Sequence, residues 1–211
     1  DNGEFVIKSY GISAHGSTPE KGKNAAILLL KLLGELKLAE PQRDFISFVN
    51  DVIGLDTTGK GLGIDFEDEV SGPLSFNVGM VELDQNKATV TVNIRYPIKY
   101  TGEQVLEQIR GNTPASISIE HVSDNKPHYV SEDNAMIQEL KEAYEKVTRE
   151  PAYCFSIGGG TYARMFDNCV AFGPNFPGKP ELAHEKDEYI EMKDLMQNLR
   201  IYTYVLKELT K

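Results

Sequence analysis

The stretch LSFNVGMVELDQNKATVTVNIRYP, residues 74–97, contains two apolar runs around the polar residues Asp84-Gln85-Asn86. From Ala88 to Arg95, apolar and polar residues alternate, and this period of two is typical of a half-buried strand. The pattern predicts strands over 74–83 and 87–97 as members of one antiparallel sheet, and the rest of the fold is worked out from this pair.

The flanking residues complete one α+β unit. They are predicted to form two more strands, at 4–12 and 115–122, and helices at 17–37, 42–53 and 101–110. The first helix is expected to begin at Ser17 or Thr18, since either side chain can cap it and Pro19 suits the first helical position. The order β-α-(α)-β-β-α-β over residues 1–125 predicts a ferredoxin-like arrangement, with helices on one face of an antiparallel sheet.

A second region, residues 126–211, follows the turn-rich segment SDNKPHYVSEDN at 123–134. Two strands make a poor independent sheet, so we expect this region to be part of a larger α/β layer whose other strands lie outside the chain. Its uncovered sheet edge and apolar face would then self-associate or remain exposed. The predicted elements are helices at 133–148, 161–167 and 191–209 and strands at 152–157 and 169–173.

Composition restricts the class of function. The 211 residues carry a formal net charge of −10, which argues against nucleic acid or an anionic membrane as the main partner. The longest apolar run, Ala25 to Leu30, is too short to span a bilayer. Two cysteines, Cys154 and Cys169, are typical of buried thiols in a reducing compartment, so a cytoplasmic protein is expected.

One histidine lies among small residues in the loop Gly11-Ile12-Ser13-Ala14-His15-Gly16-Ser17-Thr18-Pro19. The small neighbours would let a ligand approach closely, and an imidazole can donate a hydrogen bond to a developing oxyanion. The alternative is a loop histidine that helps to cap the following helix.

A glycine run follows an apolar segment in Phe155-Ser156-Ile157-Gly158-Gly159-Gly160-Thr161. Backbone N–H groups at the start of a helix can bind an anion, and glycines let the anion come near. Residues 158–163 also fit the dinucleotide pattern G-x-G-x-x-A, although the helix that follows is too short for the usual crossover. A tight turn with close packing is the structural alternative.

Two charged or titratable side chains are further candidates. His184 has carboxylates nearby, as in metal sites, but catalytic zinc needs about three protein ligands and the motifs H-x-D, H-E-x-x-H and C-x-x-C do not occur in the sequence. Arg95 is a charge on a half-buried strand and therefore needs a partner, either a structural Asp or Glu or a substrate carboxylate.

These segments occur in an order and at separations that match one family over essentially the whole chain. They are Gly11…Ala14-His15-Gly16-Ser17-Thr18-Pro19-Glu20…Gly22…Asn24-Ala25, Asn93-Ile94-Arg95-Tyr96-Pro97, Pro127-His128-Tyr129-Val130, Ile157-Gly158-Gly159-Gly160-Thr161-Tyr162, Ala171-Phe172-Gly173 and Ala183-His184 with Glu188. The chain resembles the second half of the co-catalytic zinc exopeptidases related to carnosinase, aminoacylase and succinyl-diaminopimelate desuccinylase. Within them it is most similar to the Xaa-His dipeptidase group.

The resemblance implies roles for the candidate residues. His15 would reach over the metal ions and stabilise the tetrahedral intermediate, and His184 would be the last ligand of a site for two zinc ions. Arg95, with the backbone around Gly160, would bind the C-terminal carboxylate of a dipeptide substrate. This substrate-binding group consists of Arg95, Gly159, Gly160 and Thr161.

The resemblance also implies an architecture, in which residues 1–125 are a ferredoxin-like lid and residues 126–211 are the C-terminal portion of the α/β catalytic domain. In proteins of this family the first half carries the H-x-D ligands, the bridging aspartate and the catalytic glutamate, and the chain lacks the corresponding residues. We therefore expect a C-terminal fragment that is inactive by itself. A deacylase or desuccinylase of the same superfamily, a nucleotide-binding protein and a non-enzymatic interaction domain remain alternatives.

Overall fold

The computed structural model describes residues 5–120, 122–180, 182–183 and 186–210. It divides into two compact units, the first comprising Asp1–Pro127 and Ser156–Gly159 and the second comprising His128–Phe155 and Gly160–Lys211. Each unit has its own cluster of buried apolar side chains. The short segment 156–159 thus belongs to the first unit although the residues on both sides of it belong to the second.

The first unit is built around the predicted pair of strands, which form an antiparallel hairpin of β3, Ser75–Leu83, and β4, Ala88–Arg95. A small pair precedes it, β1, Glu67–Asp68, and β2, Gly72–Pro73. The turn of the β3–β4 hairpin is held by Asp84, whose carboxylate accepts hydrogen bonds of 2.6 and 2.8 Å from two backbone N–H groups of the turn. The sequence prediction of this hairpin is confirmed.

A bulge in β3 keeps both halves of that strand facing the core. Phe76 and Val78 are buried before the bulge, whereas Val81 and Leu83 pack against the same core after it. The register shifts between Val78 and Met80, as expected when one extra residue is inserted into one strand of an antiparallel pair. One face of the hairpin is therefore apolar along its whole length, and the alternation in sequence did not reveal how this is achieved.

Three helices share the core with the hairpin: α1, Ala25–Gly34, α2, Glu40–Phe48, and α3, Gly102–Gly111. A π-helical turn, Val49–Ile53, continues α2, so the predicted helix at 42–53 is confirmed in all but its exact start. The buried side chains of this core are Ile27, Leu30, Phe45, Ile46, Phe48, Val49, Ile53, Leu62, Ile64, Leu74, Phe76, Val78 and Val105.

The first α-helix begins later than the sequence predicts. Pro19–Lys21 form only a short 3-10 turn, after which the chain is extended again. Asn24 caps α1, since its Oδ1 accepts hydrogen bonds of 3.0 and 3.2 Å from two backbone N–H groups of the first turn. Its Nδ2 also donates to the carbonyl of Val78 at 2.8 Å. The predicted start at Ser17 or Thr18 is wrong. Asn24 instead accepts hydrogen bonds from the first backbone N–H groups of α1 and joins the helix to the hairpin.

The predicted strands at 4–12 and 115–122 are not formed in their described parts. A strand is stabilised by a hydrogen-bonded neighbour, and within the described portion of 5–12 the only bridge joins Ile12 to Lys23. Phe5 is 96% exposed, so this segment buries little apolar surface. The α+β class is confirmed, but the described residues give the β3–β4 hairpin rather than a complete ferredoxin-like sheet.

The second unit is a pair of helices, α4, Ala135–Thr148, and α5, Met192–Leu209, as predicted. Asn134 caps α4 through its side-chain oxygen, which accepts from the backbone N–H of Met136 at 2.9 Å. The core between the helices consists of Leu140, Ala143, Ile201 and Val205, with partly buried aromatic residues at its border. None of the described helices is both long enough and apolar enough to cross a membrane.

Side chains of α5 hold the segment that was predicted as a strand at 169–173. The hydroxyl of Tyr202 donates to the carbonyl of Phe172 at 2.8 Å, and Asn198 Nδ2 donates to the carbonyl of Pro174 at 2.7 Å. Residues 169–173 form no strand, so the prediction of a strand is wrong for this segment.

Residues 152–157 are also not a strand, and the helix predicted at 161–167 is only a 3-10 turn, Tyr162–Met165. Phe155 is 73% exposed and Tyr162 is 93% exposed, so these apolar side chains have no core to pack against among the described residues. Apolar composition alone does not make a strand where no neighbour supplies hydrogen bonds.

Candidate functional site

One face of the hairpin is polar and carries Arg95. Ser75 lies opposite Arg95 in the register, and Asn77 lies opposite Asn93. Because side chains two residues apart point to the same side of a strand, these four residues share the face opposite buried Phe76. The register of the hairpin therefore collects a guanidinium, two amides and a hydroxyl on one surface.

Arg95 is a half-buried cation. Its Nε donates to Oδ1 of Asn93 at 3.2 Å, and no carboxylate of the described residues lies within ion-pair distance of it. Burial lowers the pKa of Arg95 from its ordinary value. Of the two partners considered from the sequence, the described residues supply no structural acid, which favours a carboxylate ligand.

The loop that carries His15 is closed at its base. The backbones of Ile12 and Lys23 exchange two hydrogen bonds of 3.0 and 2.9 Å. A Cβ on Gly11 would collide with the carbonyl oxygen of Lys23, and a Cβ on Gly22 would come within 2.8 Å of the carbonyl oxygen of Ile12. Glycine is required at both positions for this close approach, so the histidine is presented by a closed loop.

The ring of His15 is oriented by the residues that follow it. Its Nδ1 lies 2.7 Å from the Ser17 hydroxyl and accepts the Ser17 backbone N–H at 3.3 Å. The backbone N–H of Thr18 donates to the carbonyl of His15 at 2.9 Å and closes the turn. Because Nδ1 is an acceptor, a neutral ring carries its proton on Nε2, and Nε2 is then the hydrogen-bond donor.

The histidine loop lies over the polar face of the hairpin. A Cβ placed on Gly16 would be 3.5 Å from Nδ2 of Asn77 and 4.0 Å from Nη2 of Arg95. On another side, Gly158 packs against Ser17 so closely that a Cβ there would collide with the serine side chain. The first unit therefore brings together the predicted histidine loop, the predicted arginine and the start of the glycine run.

The remaining glycine-run residues are divided between the units, with Gly159 in the first and Gly160 and Thr161 in the second. The Thr161 hydroxyl accepts from the backbone N–H of Ala163 at 3.3 Å and begins the turn Tyr162–Met165. This turn is too short for the crossover helix of a dinucleotide site, so the nucleotide-binding alternative gains no support. The part of Gly159, Gly160 and Thr161 in substrate binding stays a prediction.

His184 lies outside the described residues, and its role as a metal ligand stays a prediction. Within residues 5–120, 122–180, 182–183 and 186–210, no three His, Cys, Asp or Glu side chains are grouped closely enough to hold a metal ion. The described part of the chain therefore does not by itself form a zinc site.

The thiols and one other histidine have no place in the candidate site. Cys154 is exposed and Cys169 is partly buried, and both are free, so the prediction of two buried thiols is wrong. His128 Nε2 lies 2.6 Å from the carbonyl of Cys169, a contact within the second unit that supports the structural role expected for this histidine.

Sequence reasoning named Gly16 only as one of the small neighbours of His15, and it did not single out Asn77. A signal for Asn77 was present, because Ser75 and Asn77 are the polar members of the otherwise apolar start of β3. Their relation to Arg95 depends on the register, which pairs residues on two different strands. The Oγ of Ser75 is buried and has no hydrogen-bond partner among the described residues.

Similarity to known proteins extends over nearly the whole chain. The model of peptidase family M20/M25/M40 matches residues 10–208. "Putative dipeptidase YtjP" of Bacillus subtilis (strain 168) is 40% identical over 212 residues, which are 100% of this chain and 45% of that protein. "Beta-Ala-Xaa dipeptidase" of Lactobacillus delbrueckii subsp. lactis is 33% identical over 202 residues, which are 95% of this chain and 43% of that protein.

The chain spans less than half the length of these curated relatives, whereas the relatives and the family model each match nearly all of the chain. The match includes the histidine loop, the hairpin with Arg95 and the glycine run. On this basis the chain belongs to peptidase family M20/M25/M40.

Proposed function

We propose that the complete protein is a cytoplasmic, zinc-dependent dipeptidase of the Xaa-His type, and that the first unit of this chain is its lid. The observation that carries the proposal is the placement of the His15 loop beside Arg95 on the polar face of the hairpin, through Gly16. Membership of a peptidase family and the dipeptidase names of the relatives support the same reaction.

Arg95 binds the C-terminal carboxylate of the dipeptide. Its guanidinium presents several N–H donors in a planar fork that matches a carboxylate, and Asn93 orients that fork through Nε. Partial burial strengthens the attraction, because a charge pair interacts more strongly where less water screens it. Gly159, Gly160 and Thr161 are proposed to contribute backbone or hydroxyl groups to the same end of the substrate.

His15 donates a hydrogen bond from Nε2 to the oxygen that becomes negative when the peptide carbonyl is attacked. The Ser17 contacts with Nδ1 hold the ring in the tautomer that this role requires. A donor fixed before the reaction needs no reorganisation when the charge appears, which is why such groups contribute mainly to the transition state.

Bound zinc lowers the pKa of water and so supplies a nucleophile at neutral pH. His184 is proposed as one zinc ligand, and the other ligands and the general base are proposed to lie in the part of the relatives that this chain does not cover. The 211-residue chain alone is then inactive. Zinc titration and a dipeptide assay of the 211-residue chain test this, and tight zinc binding together with turnover would contradict it.

The second unit is proposed to be the C-terminal portion of the α/β catalytic domain. Several apolar side chains of α5 are exposed, among them Met192 at 70% and Leu206 at 63%. We propose that the rest of the catalytic domain covers them in the complete protein. In the isolated chain the same surface would promote self-association.

The deciding experiment measures hydrolysis of β-alanyl-histidine and of its C-terminal amide by the complete protein. We expect hydrolysis of the free dipeptide that is lost on removal of metal by a chelator and restored by zinc. Arg95→Lys is expected to lower kcat/KM for the free dipeptide about tenfold or more, with little effect on the amide. Arg43→Lys, at an exposed position on α2, is the matched control.

The results separate the parts of the proposal. No hydrolysis of any dipeptide by the zinc-loaded protein would reject the dipeptidase. Hydrolysis with an equal loss on the free and amidated substrates in Arg95→Lys would remove Arg95 from the carboxylate site while leaving the reaction in place.

A further inference from the structure

Gly16 differs from the other glycines around the histidine loop. A Cβ on Gly11 or Gly158 would collide with the neighbouring chain, so packing alone demands glycine there. At Gly16, apart from the adjoining residues of the chain, a Cβ would meet no described atom closer than 3.5 Å, and its backbone is not in the left-handed region. Neither packing nor backbone conformation requires glycine at this position. The absence of a side chain there therefore needs another explanation.

Two hydrogen-bond donors border this space. Nδ2 of Asn77 is 3.5 Å and Nη2 of Arg95 is 4.0 Å from the point where a Cβ would stand. A normal N–H···O distance is about 2.9 Å, so a carboxylate oxygen that approaches the Gly16 Cα from beyond that point can come within hydrogen-bond distance of either donor. A carboxylate has two oxygens, and the space offers one neutral donor and one cationic donor.

Asn77 is placed for this role by the hairpin. It stands opposite Asn93, which accepts from Arg95 Nε, and it lies on the same face as Arg95. No hydrogen bond joins the Asn77 amide to another described residue, although it is half-buried. A half-buried amide whose Nδ2 lies beside a guanidinium at the Cβ position of Gly16 can donate to a ligand oxygen that enters there.

We propose that Gly16 and Asn77 complete the carboxylate site of Arg95: Gly16 leaves room for one carboxylate oxygen, and the Asn77 amide donates to it. This inference rests on the proposed function, in which Arg95 binds the C-terminal carboxylate of a dipeptide. Arg95 supplies the charge, and Asn77 fixes the direction from which the carboxylate enters. Together they select substrates with a free C-terminal carboxylate over substrates that lack one.

Two substitutions test the site in the complete protein. Gly16→Ala places a methyl group in the space without a steric collision, and Asn77→Asp replaces the donor by a charge that repels a carboxylate. Each is expected to lower kcat/KM for β-alanyl-histidine about tenfold or more and to leave that for its C-terminal amide nearly unchanged.

Matched controls exist for both changes. Gly111→Ala adds a methyl group at the end of α3, where no described atom outside the adjoining backbone lies within 4 Å. Asn86→Asp adds the same charge at an exposed position in the hairpin turn. Both controls are expected to keep the selectivity of the unsubstituted protein, and thermal unfolding of every variant shows whether it is folded.

The outcomes distinguish this inference from the proposed function. If Gly16→Ala and Asn77→Asp keep the full preference for the free carboxylate while Arg95→Lys loses it, Arg95 acts alone and the inference is wrong although the dipeptidase stands. A preference lost in Gly16→Ala and Asn77→Asp but kept in both controls supports the inference.

A binding measurement decides the case in which no dipeptide is hydrolysed. The side-chain amide resonances of Asn77 and the Nε–H resonance of Arg95 are followed by NMR during titration with β-alanyl-histidine and with its amide. We expect the free dipeptide to shift both signals and Gly16→Ala to abolish the shift. An Asn77 signal that does not respond to the free dipeptide overturns the inference whatever the enzymatic result.

Discussion

In the first unit, the β3–β4 hairpin and three helices bury one continuous apolar core, whereas in the second unit α4 and α5 pack mainly against each other. The difference extends to the surface, because Phe76 of the hairpin is 2% exposed and Leu199 of α5 is 56% exposed. A sheet with one covered face gives the first unit enough burial to fix a polar site on its other face. In the described part of the second unit no strand joins the helix pair, apolar side chains of α5 remain exposed, and side-chain hydrogen bonds from α5 hold the segment at 172–174.

This comparison predicts that replacing a buried phenylalanine of the first unit lowers the free energy of unfolding far more than replacing an exposed phenylalanine of the second unit. Phe76→Ala should destabilise the first unit by about 3–5 kcal/mol, because it removes a buried aromatic side chain and leaves a cavity. Phe155→Ala in the second unit, where the side chain is 73% exposed, should change the free energy of unfolding by less than about 0.5 kcal/mol. Urea unfolding measures both, and similar losses would show that the two positions are equally buried.

Two histidines allow the catalytic and structural roles of the units to be compared. In the complete protein, His15→Ala should raise the activation barrier by about 2.7–4 kcal/mol, seen as a lower kcat with little change in KM, since an oxyanion donor acts in the transition state. His128→Ala loses the contact with the Cys169 carbonyl, so it should lower thermal stability more than kcat. A larger loss of kcat in His128→Ala than in His15→Ala would reverse these assignments.

The Asn24 side chain caps α1 and also joins it to the hairpin, and the two roles can be separated by substitution. Asn24→Ala should cost about 1–2 kcal/mol, because both the cap of α1 and the bond to the Val78 carbonyl are lost. Asn24→Asp keeps the capping oxygen and loses only the donor, so its cost should be smaller. Equal losses of unfolding free energy in the two variants would mean that the cap contributes nothing.

The last prediction concerns how the hydrogen bond between Tyr96 and Asp124 makes the stability of the first unit depend on pH. The Tyr96 hydroxyl donates to Asp124 Oδ1 at 2.6 Å, and burial, with this hydrogen bond, raises the pKa of Tyr96 to about 12. The folded state holds the proton more tightly than the unfolded state. The stabilisation is therefore complete below the ordinary pKa of about 10 and is lost as the pH rises from 10 to 12. Unfolding free energies of the unsubstituted protein should fall over this range, and Tyr96→Phe should remove that part of the fall.

Much of the first unit follows from local pattern. The alternation between Ala88 and Arg95 predicted β4, and the oddity of a charge on that strand pointed to Arg95 as a binding residue. The predicted start of α1 was wrong because Pro19 and its neighbours also suit a 3-10 turn. Local preferences at Thr18 and at Asn24 are similar, and only Asn24 can also reach the carbonyl of Val78.

In the second unit, local pattern predicted the helices and failed for the strands. A helix satisfies its hydrogen bonds within its own segment, so α4 and α5 could be predicted from their own residues. A strand needs a neighbour, and residues 152–157 and 169–173 find none among the described residues.

The sequence by itself determined which residues are candidates for the chemistry: His15 among small residues, Arg95 on a half-buried strand and a glycine run after an apolar segment. Only the tertiary structure decided that Gly16 faces Asn77 and Arg95, and that Gly158 packs on Ser17. The physical reason is that residue type and spacing act through local backbone preferences, whereas this site depends on strand register and on loop closure. Both of these depend on pairing between different segments of the chain, such as the hydrogen bonds of Ile12 with Lys23 and the register that places Ser75 opposite Arg95.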